Sequence, residues 1–460
     1  MRIIKRFNII SMIILICLTG CGKSEESSLK NDGTTAENLS EQESTVQNSN
    51  ISQDENITTN EVTIIDSGTV NNYGYIIPEL GISAKDIPDT EALDFAQDMK
   101  IGWNLGNTFD ASVEMPWFEG ELEYESTWCG IKTTPEMIKA VKDAGFNTIR
   151  IPVSWHNHVS YDYQNFIISE EWLNRVKEVV DYAIDLDMYV IINTHHDIMP
   201  GNMEGIQSEC FIYPTEECYD TSERYITAIW QQLCETFKDY DEKLIFESMN
   251  EPRLTYTNYE WWLDPNSEEC KEAVDCINRL NQCFVNVVRD SGGNNVDRYL
   301  LIPGYCSSFD GAMNEGFALP EDSSTDKLMV VVHAYTPYNF ALQAQTDSGS
   351  KNTFDINNTQ DTQEIDYIMN ALYEKYIING IPVIIDEFGA RNKKTDEGTD
   401  NVQARINFAA YYVAVARANG ISCCWWDNNS FNSEGEDFGL LNRAGLIWQY
   451  ADIVQAMMKY

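Results

Sequence analysis

Residues 245–253 read IFESMNEPR, an apolar run that turns into an Asn, a Glu and a Pro. The stretch from Leu244 to Asn250 has the length and β-rich composition of a buried strand. On either side, Ser222 to Phe237 and Glu268 to Arg289 repeat apolar residues at 3.6-residue spacing, as amphipathic helices do. The same alternation continues outward in both directions. Further apolar β-rich runs span Ile101 to Leu105, Thr148 to Trp155, Tyr189 to His195, Tyr299 to Pro303, Leu328 to Tyr335, Pro382 to Phe388 and Ser422 to Asp427. Helical periodicity fills Pro135 to Ala144, Glu170 to Leu186, Gln363 to Ile378 and Gln403 to Asn419, and only the connection after Tyr305 lacks a long helical pattern. Eight buried strands alternating with helices predict an α/β protein, a (β/α)8 TIM barrel over residues 73–460. A doubly wound open sheet is the competing architecture, but no glycine-rich phosphate loop follows the first strand.

Ahead of the barrel, residues 1–20 read as an export signal: Arg2, Lys5 and Arg6 precede a short apolar run from Ile9 to Leu18. That run is short for a bilayer span. Leu18-Thr19-Gly20-Cys21 resembles the lipobox of bacterial lipoproteins, which implies cleavage before Cys21, lipidation there and attachment to a membrane surface. Residues 21–72 are rich in Ser, Thr, Asn, Gln and Glu and contain no aromatic residue, so they are expected to form a disordered acidic tether. Asn56-Ile57-Thr58 matches a glycosylation sequon, a match of little weight behind a bacterial-type export signal.

The 460 residues are 43% hydrophobic and 12% aromatic, enough for a sizeable core. A formal net charge of −42 makes the surface repel phosphate backbones, which argues against nucleic acid as a partner. The chain is expected to act as a monomer.

In a barrel the carboxyl ends of the strands converge on one face, where active sites are built. Polar residues gather at those ends here: Asn104 and Asn107, Arg150, His195 and His196, Asn250 and Glu251, His333 and Tyr335, Glu387, Trp426. All five histidines follow the second, third or sixth strand, and none is expected on a helix. Any one such residue could be an ordinary rim position, but coincidence across seven strands points to a pocket. Glu251 follows strand four and Glu387 strand seven, on opposite sides of a closed barrel, so the two carboxylates can face each other across its mouth. Glycoside hydrolysis needs such a pair, one acid to protonate the leaving oxygen and one carboxylate to attack the sugar or activate water.

The segments GWNLGNTFDA, IRIPVSW, NTHHD, NEPR, VHAY, IIDEFGA and WWDN resemble glycoside hydrolase family 5, the cellulase A family of clan A, and most of all its subfamily 4 endo-β-1,4-glucanases. The likeness runs from Asp98 to Tyr460 and rests on the motifs in combination. It implies Glu251 as general acid/base and Glu387 as nucleophile of a retaining double displacement. It implies Asn250 as the partner of the sugar 2-hydroxyl, and Arg150 and Tyr335 as groups that keep the nucleophile ionised and oriented. His195 and His333 match the family's active-site histidines, and Trp426 the platform under the sugar at the cleavage point. Asn104 and His196 join the candidate substrate-binding set, with His158 and Trp425 as weaker neighbours. Strand alternation admits only one of Trp425 and Trp426 to the site. Relatives often read Trp-Gly-Asn-Pro where this chain has Trp128-Cys129-Gly130-Ile131, which bears on the shape of one cleft wall.

Retention requires the two carboxylates to lie about 5 Å apart. Acids that close titrate in separate steps. Arg150 and Tyr335 are expected to favour charge on Glu387 and leave the proton on Glu251. Loop aromatics Trp117, Phe118, Tyr124, Trp128, Trp261 and Trp262 can stack on sugar rings, with about half expected to pin loops instead. The resemblance makes a β-1,4-glucan polymer the expected substrate, with mixed-linkage glucan and xyloglucan close behind. A β-mannanase, or a surface glycan-binding lipoprotein without activity, is the alternative, although a degenerate binder would be expected to have lost Glu251, Glu387, Asn250 or Arg150. No cofactor or metal is needed by this chemistry, and adjacent strand residues such as His195 and His196 are not expected to share an ion. Cys210 and Cys218 bracket a short loop and are candidates for a disulfide; Cys423 and Cys424 read as small core residues.

Overall fold

The structure, a computed structural model, describes residues 74–113, 116–160, 165–200, 211–431 and 435–460. The export signal, Cys21, the tether up to residue 72 and Cys210 lie outside the described residues. None of the described helices is long and apolar enough to cross a membrane.

Helix α1 (Glu91–Asp98) precedes β1 (Ile101–Leu105); α2 (Pro135–Asp143), β2 (Thr148–Ile151), α3 (Glu170–Ile184), β3 (Tyr189–Asn193), α4 (Glu216–Phe237) and β4 (Leu244–Glu247) follow. The second half runs α5 (Glu268–Asp290), β5 (Leu300–Ser308), α6 (Phe309–Met313), β6 (Leu328–His333), α7 (Tyr338–Ala341), α8 (Thr359–Lys375), β7 (Val383–Phe388), α9 (Val402–Ala418) and β8 (Ser422–Asp427). A two-stranded ribbon, β9 (Leu441–Asn442) and β10 (Ile447–Trp448), and α10 (Ala451–Met458) complete the chain. Strands β1 to β8 form a closed barrel in sequence order, and β1 pairs in parallel with both β2 and β8.

Local chemistry sets the helix starts. The hydroxyls of Thr90, Thr134, Ser169 and Ser267 accept amides of the first turns of α1, α2, α3 and α5, and Pro135 opens α2 where no amide is needed. Strand alternation sorts the side chains. Trp103, Ile149, Phe246 and Trp425 point outward and are fully buried under the helices, each contributing about 1.5–3 kcal/mol of burial. Ile191, Ile245, Leu301, Met329, Val331 and Ile384 fill the barrel interior together with Phe95 of α1, whose ring stacks on Tyr299 at 3.7 Å. Helix α1 thereby joins the interior core, and the polar strand ends lie at the other mouth.

Two departures from the expected pattern shape that mouth. The connection after β5 does lack a long helix, but β5 extends to Ser308, and five-residue α6 packs so tightly on it that a Cβ on Gly311 would lie 2.2 Å from the Tyr305 carbonyl. In β7 the register shifts between Ile385 and Phe388, a bulge that changes which side chains face inward. The expectation that no histidine lies on a helix also needs correction: His156 and His158 belong to a single 3-10 turn after β2, where Pro152 has ended the strand.

Candidate active site

Arg150, fully buried at the end of β2, organises the barrel mouth. Its Nε and Nη2 donate to the two oxygens of Glu247 at 2.7 and 2.8 Å. Nη1 donates to Glu387 Oε1 at 2.7 Å and to Asn104 Oδ1 at 3.0 Å, and Nη2 also reaches Asn250 Oδ1 at 2.7 Å. Asp386 Oδ2 lies 3.1 Å from Nε. One guanidinium thus serves three carboxylates, an arrangement that is stable only because every donor is used.

This geometry corrects one expected substrate contact, that of Asn104, and holds Arg150 on the nucleophile. Arg150 has no donor left for a sugar. Asn104 is fully buried, with its amide bonded to the Asp386 carbonyl at 2.8 Å and its oxygen to Arg150. Both residues support the nucleophile instead of touching substrate. Asn250, whose oxygen is turned to Arg150, keeps its Nδ2 donors for other partners. The segment that carries it is held from β5: Ser307 Oγ donates to the Asn250 carbonyl, and the Cys306 amide to that of Pro252 at 2.8 Å. Cys306 and Ser307 take left-handed φ of 57° and 44° there, an uncommon conformation for side-chain-bearing residues.

Glu387 receives a second donor, the Tyr335 hydroxyl at 2.9 Å from Oε2. Glu251 faces it across the mouth. Oxygens of Glu251 and Glu387 and a nitrogen of His333 all lie within 4.8 Å of one another, close to the gap of about 5 Å that a retaining pair needs. His333 bridges them: Nδ1 is 2.8 Å from Glu251 Oε1 and 3.6 Å from Glu387 Oε2, and Nε2 is 3.2 Å from Asp386 Oδ1.

The proton distribution differs from the expected one. Burial pushes Glu387 up, against the opposing charges of His333 and Arg150. Burial also acts on Glu251, but the His333 hydrogen bond and charge, with Arg253, outweigh it and hold that acid down to about 2. His333 is held well above its usual range despite burial, by Glu387, Asp386 and Glu251. The physical reason is that Arg150 is divided among Glu247, Asp386 and Glu387, while Glu251 has a cation at each oxygen. These shifts favour the proton expected on Glu251 at His333, whose Nδ1 is 2.8 Å from Glu251 Oε1.

Trp426 lies parallel to His195, with ring planes 3° apart and centroids at 5.9 Å, and it packs where Gly106 leaves room: a Cβ there would be 2.8 Å from the indole. Burial drives His195 well below its usual range, so it stands neutral, its Nδ1 beside Asn193 Nδ2 at 3.1 Å. Trp425 points the other way, its indole nitrogen bonded to the Phe438 carbonyl at 3.0 Å. His158 is stacked on Trp172 at 3.7 Å and bonded to Glu121, a loop support. His195 and His196 both follow the end of β3, so alternation does not separate them, and with Asp110 their ligating atoms come within 4.8 Å of one another, contrary to the expectation that they diverge. Both Asp110 oxygens are already occupied by the amides of Asn107 and Thr108 at 2.9 and 2.6 Å. Cys423 and Cys424 are buried thiols.

The loop aromatics divide. Tyr124 is buried against His158 and Phe118, so it pins its loop. Trp117, Trp128, Trp261 and Trp262 are 71%, 42%, 57% and 76% exposed and are available to sugar faces. In the Trp128-Cys129-Gly130-Ile131 stretch, Trp128 leans on His196 at 5.6 Å and the Cys129 carbonyl accepts Asn429 Nδ2 at 3.1 Å.

Three residues in this region escape the reading from sequence: Glu247, Asp386 and Arg253. An acid inside the apolar run of β4 is the signal for the first, and the acid pair before Phe388 for the second.

Residues 110–432 match the family model described as Cellulase (glycosyl hydrolase family 5). Endoglucanase A of Clostridium longisporum is 39% identical over 370 residues, which cover 80% of this chain and 65% of that protein. The chain therefore spans about two thirds of that relative's length. A variant of the family 5 lichenase from Caldicellulosiruptor sp. F32, solved in complex with cellotetraose, is 54% identical with a TM-score of 0.80, covering 84% of this chain and 99% of that one. A GH5-4 broad specificity endoglucanase from Ruminococcus champanellensis with bound cellotriose is 39% identical with a TM-score of 0.70, covering 81% of this chain and 100% of that one.

Proposed function

The chain belongs to glycosyl hydrolase family 5, the cellulase family, and from that premise we propose that it is an endo-β-1,4-glucanase that cleaves glucan backbones with retention of configuration. The observation that carries the reading is the facing pair, Glu251 and Glu387, within 4.8 Å and bridged by His333.

In the first step Glu387, oriented by Arg150 and Tyr335, attacks the anomeric carbon as the glycosidic bond breaks. Glu251 gives its proton to the leaving oxygen, the proton having crossed from His333. The product is a glycosyl ester on Glu387. In the second step Glu251, now a carboxylate, takes a proton from water, whose oxygen attacks the same carbon and frees Glu387. Asn250 Nδ2 is the donor for the sugar 2-hydroxyl, a contact that strengthens as positive charge develops on the ring. Trp426 lies under that sugar.

Relatives that bind cellotriose and cellotetraose support β-1,4-linked glucose as the backbone, and exposed tryptophans on separate loops support an open cleft that takes a polymer internally. Cellulose-type glucan, mixed-linkage glucan and xyloglucan are the substrates of this reading. The leader sequence supports attachment to the cell surface through lipid on Cys21. Reducing ends and viscosity measured on barley β-glucan, carboxymethylcellulose, xyloglucan and glucomannan test it. Endo-cleavage of glucans drops viscosity ahead of reducing-end release. Turnover of glucomannan alone would favour a mannanase, and binding without turnover would favour a glycan-binding lipoprotein.

A further inference from the structure

We propose that Arg253, the last residue of the NEPR motif, is a positioning residue that sets the proton balance of the Glu251–His333 pair, and that Trp261 fixes it for that role. The inference rests on Glu251 as the acid/base. Arg253 Nη1 donates to the Glu251 carbonyl at 2.9 Å and to its carboxylate Oε2 at 3.3 Å. The guanidinium lies over the Trp261 ring, 4.1 Å from its centroid, a cation–π contact that orients a flexible side chain. Arg253 Nε is buried without a hydrogen-bond partner and stands 3.9 Å from Glu260 Oε1, while Glu260 Oε2 is taken by the Tyr256 amide at 3.1 Å. The Arg253 charge thus meets Glu251 through a direct hydrogen bond and acts on Glu260 and His196 without one.

Each oxygen of the acid has its own cationic neighbour, His333 at Oε1 and Arg253 at Oε2. The other titratable groups that act on or feel Glu251 are His196 after β3, Cys306 on β5, Glu387 on β7, Tyr335 after β6 and Glu436 beyond β8. A cation beside a carboxylate favours the ionised form. Arg253 therefore eases proton release to the leaving oxygen in the first step and tempers Glu251 as a base toward water in the second. More than half of the Trp261 side chain is exposed, so a sugar stacked on its open side would press the ring that carries this arginine.

The test replaces Arg253 by Met, Gln or Lys in the full chain. With Met or Gln the Glu251–His333 pair should release its proton about one pH unit higher. The alkaline limb of kcat/KM then moves up by the same amount, while Lys, which keeps the charge, restores most of the original position. Two neutral variants keep the contrast available if one of them does not fold. Titration of the Glu251 side-chain carboxyl carbon by NMR, assigned against Glu251→Gln, reads the same shift without substrate. It thus separates this inference from the glucanase reading, whose failure would appear as wild-type protein that releases no reducing ends. A titration and an alkaline limb that stay in place in the Met and Gln variants, whatever happens to kcat, would overturn the proposal.

Discussion

Removing one oxygen from Tyr335 tests how the nucleophile is held. The Tyr335 hydroxyl donates to Glu387 Oε2 at 2.9 Å, and its ring is set by Phe438 at 5.4 Å, so Tyr335→Phe keeps the packing and deletes one donor. Burial and the neighbouring Glu387 charge keep the phenol protonated far above neutral pH, so the hydroxyl is a donor throughout the working range. A hydrogen bond to a charged acceptor is worth about 1.5–3 kcal/mol. At about 1.4 kcal/mol per tenfold, kcat/KM should fall roughly 10- to 150-fold. The sign of the pH effect follows from the same bond. Losing a donor to the carboxylate disfavours its charged form, Glu387 binds its proton more tightly, and the acidic limb of the profile moves up by about one unit. Initial rates of reducing-end release from barley β-glucan across pH give both quantities. A kcat/KM within twofold of wild type, with an unmoved acidic limb, would refute the role assigned to this hydroxyl.

Glu387→Gln should abolish turnover of every substrate. Glu251→Gln should abolish turnover of polysaccharide but spare the first step on a dinitrophenyl oligoglucoside, whose leaving group needs no proton, so that a burst of dinitrophenolate precedes a slow second step; loss of the burst would remove Glu251 from the acid role. Burial, opposed by Arg150, raises Glu247 from 4.5 to about 7. The folded state thus keeps a proton that the unfolded chain gives up, and this contribution is present below about pH 4.5 and lost as pH rises through 7, on the order of 3 kcal/mol. Thermal melts from pH 5 to 8 should therefore slope less steeply downward in Glu247→Gln than in wild type, and parallel slopes would contradict the assignment. Cys21→Ala is expected to release the protein from membrane fractions, and a variant that stays in the pellet would end the lipoprotein reading.

The barrel was legible because each buried strand is a short apolar run: β1 and β8 fall on Ile101–Leu105 and Ser422–Asp427 as the composition implies. The ends were less so. The run after Thr148 reads on to Trp155, but Pro152 cannot join the ladder. β5 continues past Pro303 because close packing against Gly311 carries it on to Ser308. In the site, Glu251 and Glu387 stood out as acids at strand ends. Asp386 did not, because strict alternation sends it outward once Glu387 faces in. The bulge between Ile385 and Phe388 lets both acids reach the mouth, a tertiary event with no local signature. Proton placement was equally hidden, since it depends on how one guanidinium is shared among carboxylates brought together from β4 and β7.

The central claim is that Glu387 itself attacks the sugar across the short gap to Glu251. Proton NMR of the first reducing sugar released from a cello-oligosaccharide tests it before mutarotation obscures the outcome. The β-anomer should appear first, as two successive inversions require. Initial appearance of the α-anomer would mean that water attacks directly, and would contradict the covalent role of Glu387.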